Sequence, residues 1–141
     1  THDAHVAELG TTVGQALLVP HRSYLDAIRP LLTGGLIKGM AHITGGGITD
    51  NLPRILPEGI QARIARGAWT VPPIFQWLQR TGDVPDEDML RTFNMGIGLI
   101  VACGAADAAQ LIAALHAGGE REARVIGAIE RGGGGVRYVR D

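Results

Sequence analysis

Apolar residues recur along this chain in two rhythms, and the switches between them mark its elements. Tyr24, Leu25, Ile28, Leu31 and Leu32 fall at helical spacing, so a helix is predicted over residues 21–32. Pro20 opens it and Gly34-Gly35 ends it, as proline and glycine do at helix starts and stops. Ile48, Leu52, Ile55 and Leu56 line one face of a short helix stopped by Pro57-Glu58-Gly59. Ile74, Phe75, Trp77 and Leu78 belong to a helix opened by Pro72 or Pro73 and closed by Gly82. Val84-Pro85-Asp86 starts another, with Met89, Leu90 and Phe93 inward and acidic residues in the first turn, where the helix dipole favours them. Ala108, Leu111, Ile112 and Leu115 predict an amphipathic helix over residues 107–117.

The other rhythm is that of strands. Ile60, Ala62 and Ile64 alternate with Gln61, Arg63 and Ala65, the pattern of a half-buried strand. Residues 36–43 and the continuous apolar run 99–103 read as strands, the latter covered on both faces. Residues 124–129 and 136–139 are two final strands, and the glycines between them read as a hairpin loop that pairs them antiparallel. Helices and strands intermixed in this order predict an α/β (α+β) fold, a single domain with a mixed β-sheet and packed helices. Residues 1–15 are polar and read as a flexible N-terminal segment, leaving 16–141 as the domain.

Composition narrows the function classes. The chain has 141 residues, the size of one domain, and 45% of them are hydrophobic, enough for a core. Net charge is −1, and only two Phe, two Tyr and two Trp are present. Nucleic-acid binding by counterion release or base stacking is therefore disfavoured. No apolar run is long enough to span a bilayer. Cys103 is the single cysteine, so no disulfide can form within the chain, which fits a reducing cytosol. Glycine is the outlier, with 21 residues in clusters of no fixed period.

The most informative cluster is Gly45-Gly46-Gly47, between a predicted strand and a predicted helix carrying Asn51 and Arg54. Uncovered backbone N–H groups at a helix start make an anion site for a phosphate or an oxyanion. A tight strand-to-helix turn that needs small residues fits equally. Asn51 and Arg54 can share a helix face and grip a phosphate, or cap the helix and face water. His42, at the end of its strand, is the candidate acid or base, with Asp50 as a possible partner in sequence. A half-buried histidine bonded to backbone is the plainer reading. Asn94, before Gly96-Ile97-Gly98, either reads a heterocycle edge or holds its loop by an Asx turn. Trp69 and Trp77 read as core or interface anchors. No P-loop, dinucleotide fingerprint, nucleophile elbow or zinc motif is present, and no metal ligand set is expected.

Taken together and in order, His42-Ile43-Thr44-Gly45-Gly46-Gly47, Asn51-Leu52-Pro53-Arg54, Trp69 with Pro73-Ile74-Phe75 and Trp77-Leu78, and Thr92 to Gly98 resemble the carboxy-terminal domain of the aminoimidazole ribonucleotide synthetases. These are also called phosphoribosylformylglycinamidine cyclo-ligases. The run Leu17 to Tyr24 resembles the family's approach to that domain. The resemblance implies an ATP-dependent, Mg²⁺-assisted ring closure in purine biosynthesis. ATP activates a formyl amide oxygen as a phosphorylated imidate, and a substrate nitrogen displaces phosphate. It implies a cytoplasmic homodimer with a nucleotide substrate and ATP as ligands, and Thr44, Gly45, Gly46, Gly47, Asn51, Arg54 and Asn94 as a phosphate-binding wall. The family's amino-terminal ATP-binding domain has no counterpart here, so this chain alone is expected to be inactive. Domains of selenophosphate synthetase or thiamine-monophosphate kinase type, and a non-catalytic phosphate-binding module, are the alternatives.

Overall fold

The computed structural model describes residues 1–140, and Asp141, the last residue of the expected domain, lies outside them. In chain order the elements are β1 (His5–Val6), β2 (Thr11–Thr12), α1 (Val13–Leu17), α2 (Leu25–Ile28), β3 (Ile37–His42), α3 (Gly47–Asn51), β4 (Ile60–Ala65), α4 (Pro73–Gly82), α5 (Asp86–Thr92), β5 (Leu99–Cys103), α6 (Ala108–Ala117), β6 (Gly127–Arg131) and β7 (Val136–Val139). The expected α+β fold is present. Its strands are distributed over three small sheets: β1-β2, β3-β5, and the mixed sheet β6-β4-β7.

The glycine-rich segment before β7 is not the turn of a hairpin. β4 lies between β6 and β7, antiparallel to the first and parallel to the second. The chain leaves β6 at Arg131, crosses the start of β4 and enters β7 on its far side. Gly132 N–H bonds the Gly59 carbonyl and Ala62 N–H bonds the Gly135 carbonyl. A side chain at Gly132 would meet Gln61 of β4, and Gly134 and Gly135 have φ of 92° and 76°. The glycines are the material of a crossing, which local spacing could not distinguish from a hairpin.

The helix expected over residues 21–32 is also shorter. Only Leu25–Ile28 is α-helical, followed by a 3₁₀ turn at Arg29–Leu31. Pro30 has no N–H to give the carbonyl four residues back, so the helix cannot continue regularly. Ile28 is buried, but Leu25 and Leu32 are about half exposed. β6 begins at Gly127, three residues later than the expected start at Arg124. Residues 1–15, read as a flexible lead-in, carry the β1-β2 ladder and a capping box in which Thr12 and Gln15 bond each other's backbone N–H groups.

Two apolar clusters hold the rest. Ala41, Ile43, Ile48, Leu52, Ala62, Ile64 and Ile100 form one, and Ile28, Leu111 and Leu115 form the other. Trp69 packs against the first and donates its indole N–H to the Met95 carbonyl at 2.9 Å, in line with its reading as an anchor. Outside the core, Arg66 and Gln79 bond the Asp86 carboxylate at the start of α5. Arg66 above all, then Gln79, holds that carboxyl below its ordinary range. Its contribution is complete above the unfolded-state value of about 3.9 and disappears as pH falls through the lower folded-state value. The Asp86 side chain is 46% exposed, so screening limits the pair to about 0.5–1 kcal/mol. Asp86→Asn is therefore expected to lower the urea midpoint slightly at pH 7 and to match the parent near pH 2. An equal difference at both pH values would show that the carboxylate charge is not what matters.

Candidate functional site

The two glycine stretches are far apart in sequence and adjacent in space. β3 and β5 are antiparallel, with His42 opposite Leu99 and Ile43 N–H bonded to the Gly98 carbonyl at 2.9 Å. The end of β3 and the start of β5 therefore share one end of the pair. The turn after β3 carries Thr44 to Gly47, and the loop before β5 carries Asn94 to Gly98.

The three glycines of the first turn differ in what they do. Gly45 is open, with nothing near the position of a Cβ. Gly46 is the N-cap of α3, with φ of 96°, and the Asp50 side chain lies beside it. Gly47 has φ of 57°, and a Cβ there would collide with the carbonyl oxygens of Leu90 and Phe93 at the end of α5. Thr44 accepts the turn bond from Gly47 N–H and is exposed. Among the described residues, the N–H groups of Gly45 and Gly46 have no backbone partner outside regular elements.

Asn51 is inside this turn rather than on its rim. It is 5% exposed, and its amide donates to the carbonyls of Gly45 at 3.1 Å and Gly47 at 2.8 Å. Its donors are thus already engaged in shaping the turn. Arg54 is exposed in the 3₁₀ turn after α3 and makes no ion pair or hydrogen bond among the described residues. Asn94 accepts Gly96 N–H at 2.9 Å, closing an Asx turn. Met95 follows at φ of 52°, and a Cβ at Gly96 would lie 2.5 Å from Pro72 Cδ.

His42 is exposed and stacks edge-on against His21, ring centroids 4.7 Å apart. Asp50, its sequence-level partner, instead lies 4.0 Å from Arg91. Tyr24 lies next to His21, and a side chain at Gly98 would meet both. Burial, opposed by Arg22, pushes the Tyr24 phenol up, so it stays protonated at neutral pH. His21 and Tyr24 fall within the helix expected over residues 21–32, so the spacing does not place them beside His42 and Gly98. The run Leu17 to Tyr24 was the available signal. Thr49 ties the site to the mixed sheet by bonding the Leu90 carbonyl and the Tyr138 hydroxyl. Among the described residues, no group of three His, Cys, Asp or Glu side chains converges.

The α+β domain thus gathers two glycine-rich loops at one end of the β3-β5 pair, with Arg54 exposed in the 3₁₀ turn that follows α3. The family model described as AIR synthase related protein, C-terminal domain, matches residues 1–140, and the chain belongs to that family. It is 48% identical over 132 residues to a phosphoribosylformylglycinamidine cyclo-ligase of Desulfitobacterium hafniense, covering 94% of this chain and 39% of the relative. It is 46% identical over 132 residues to the protein of that name from Caldanaerobacter subterraneus, with the same shares. For the Methylobacillus flagellatus protein of that name the identity is 48% over 112 residues, 79% of this chain and 32% of the relative. The chain thus spans about two fifths of the length of the first of these relatives.

Proposed function

We propose that this chain is the carboxy-terminal part of an ATP-dependent cyclo-ligase that converts formylglycinamidine ribonucleotide to aminoimidazole ribonucleotide. Identity of 48% across 94% of the chain to a relative carrying the cyclo-ligase name supports this reading over the selenophosphate synthetase and thiamine-monophosphate kinase types. The observation that carries the site is the meeting of the Gly45-Gly46 amides and the Asn94–Gly98 loop at one end of β3-β5. Backbone amides fixed before a ligand arrives stabilise phosphate charge without reorganising. Gly45, Gly46 and Thr44 form the phosphate-facing edge and Arg54 the adjoining cation. Gly47 and Asn51 hold the turn's shape, and Asn94 holds the facing loop. His42 is an exposed side chain near this edge rather than an assigned catalyst.

ATP and Mg²⁺ belong to the same proposal. The exposed glycine amides suit a phosphate oxygen, whereas no acidic cluster for a cation converges among the described residues. Magnesium, when bound, would neutralise phosphate charge, and its protein ligands would come from elsewhere in a longer polypeptide. The assembly is a cytoplasmic homodimer, and no helix here is long and apolar enough to cross a membrane.

Calorimetric titration with the ribonucleotide substrate, in a protein of the relatives' length, tests the wall. Gly45→Ala places a methyl in open space, so stability changes by less than about 0.5 kcal/mol, while affinity falls about tenfold by crowding the amides. Arg54→Ala is expected to weaken binding by a similar factor. Unchanged affinity in both variants would remove the phosphate assignment. The 141-residue chain alone is expected to show no turnover, and product formation by it would overturn the shared-site reading.

A further inference from the structure

Among the described residues, β5 pairs with β3 alone and β6 with β4 alone, so each has one open edge. Ladder phase identifies the groups left over. In an antiparallel pair, residues that turn both N–H and C=O toward the partner alternate with residues that turn both away. The bond from Ile43 N–H to the Gly98 carbonyl sets the phase of β5. Ile100 then faces Ala41, while Leu99 and Val101 direct their backbone groups outward. Bonds from Ala65 N–H to the Ile126 carbonyl and from Gly132 N–H to the Gly59 carbonyl set the phase of β6, leaving Gly127 and Ile129 outward. Among the described residues, no backbone hydrogen bond joins β5 to β6.

Both edges line one cavity of about 770 Å³. Its walls include Ile64 and Trp69 from one core cluster and Leu111 and Leu115 from the other. A compact apolar ligand could fill that space but would leave the edge N–H and C=O groups unpaired and dry, which proteins avoid. An extended peptide meets both demands. Its backbone bonds to left and right, and its alternate side chains enter the two apolar walls. At about 3.3 Å per residue, about five residues match the length of β5.

We infer that the gap between β5 and β6 seats an extended, mainly apolar strand from the part of the family polypeptide that these 141 residues do not span. That strand joins the two sheets into one, in the order β3-β5-strand-β6-β4-β7. The relatives supply the material, since 39% of the length of one of them aligns with this chain. The inference rests on topology and length, not on the catalytic reading, so either can fail alone.

Residue-resolved hydrogen exchange tests it, comparing the 141-residue chain with the same residues inside a protein of the relatives' length. The amides of Leu99, Val101, Gly127 and Ile129 are expected to exchange at least about a hundredfold more slowly in the longer protein, while Ile100 and Ala128 are protected in both. Protection of all four already in the short chain would overturn the inference, because the edges would then be closed on each other or on a second copy. Lack of protection in the longer protein would overturn it too, and would favour a small ligand in the cavity. Val101→Pro removes one outward N–H without touching the bonds to β3. It is expected to leave the short chain's exchange pattern intact and to reduce protection of Gly127 and Ile129 in the longer protein. Full protection of those two residues in that variant would count against the shared strand.

Discussion

Gly47→Ala is expected to destabilise this domain by about 3 kcal/mol or more, read as a lower urea midpoint at unchanged slope. Two penalties coincide there. The φ of 57° disfavours any residue with a Cβ, and the added carbon would press on the backbone oxygens of Leu90 and Phe93. Backbone oxygens at the end of α5 cannot swing aside as a side chain would, so α3 and α5 must separate. Gly35→Ala isolates the first penalty, because Gly35 has φ of 71° with nothing near its Cβ position. That control is expected to cost about 1 kcal/mol. Equal costs at the two positions would mean that the contact between α3 and α5 is not close. The turn would then lose its support from behind, and the preorganisation of the Gly45 and Gly46 amides would go with it.

Asn51→Ala should cost about 1–3 kcal/mol, because the buried amide is lost and the Gly45 and Gly47 carbonyls lose their donors together. Asn51→Asp sharpens the point. Its carboxylate would face the carbonyls of Gly45 and Gly47, to which the native amide donates. Ionisation is disfavoured there, so the folded-state pKa of the introduced acid rises above its unfolded value of about 3.9. The variant is then closest to the parent below that value and loses stability as pH rises through the interval between the two. Urea titrations at pH 3.5 and pH 7 measure the difference. A variant whose deficit relative to the parent is the same at both pH values would show that the Asn51 amide does not hold the turn. With affinity measured beside stability, the same variants separate shape from contact: Asn51 changes should affect both, and Gly45→Ala affinity alone.

Several features were legible because they depend on near neighbours. α4 begins at Pro73 and ends at Gly82, α5 carries Asp86, Glu87 and Asp88 in its first turn, and β4 spans Ile60–Ala65, all as patterned. Glycine, proline and side-chain period act within a few residues, so the chain's order alone carries them. The glycine turn and the Asn94 loop were identifiable on the same ground, and so was their likeness to one family. His21 and Tyr24 were not, because the apolar spacing from Tyr24 onward places both in a helix, whereas the α-helix begins only at Leu25.

What the sequence determined by itself was the run of elements from β3 onward, the small residues at the turns, and the family. The partners were decided only in three dimensions. Alternation in β4 shows which face is buried but carries nothing about which strands border its edges, and the fold puts β6 and β7 on opposite sides of it. Antiparallel pairing of β3 with β5 brings the Gly45-Gly46 amides and the Asn94 loop to one place. The closed turn engages the Asn51 donors internally, while the Gly45 and Gly46 N–H groups have no backbone partner among the described residues. Each of these outcomes depends on contacts between residues distant in sequence, and such contacts follow from how whole surfaces fit rather than from any local pattern.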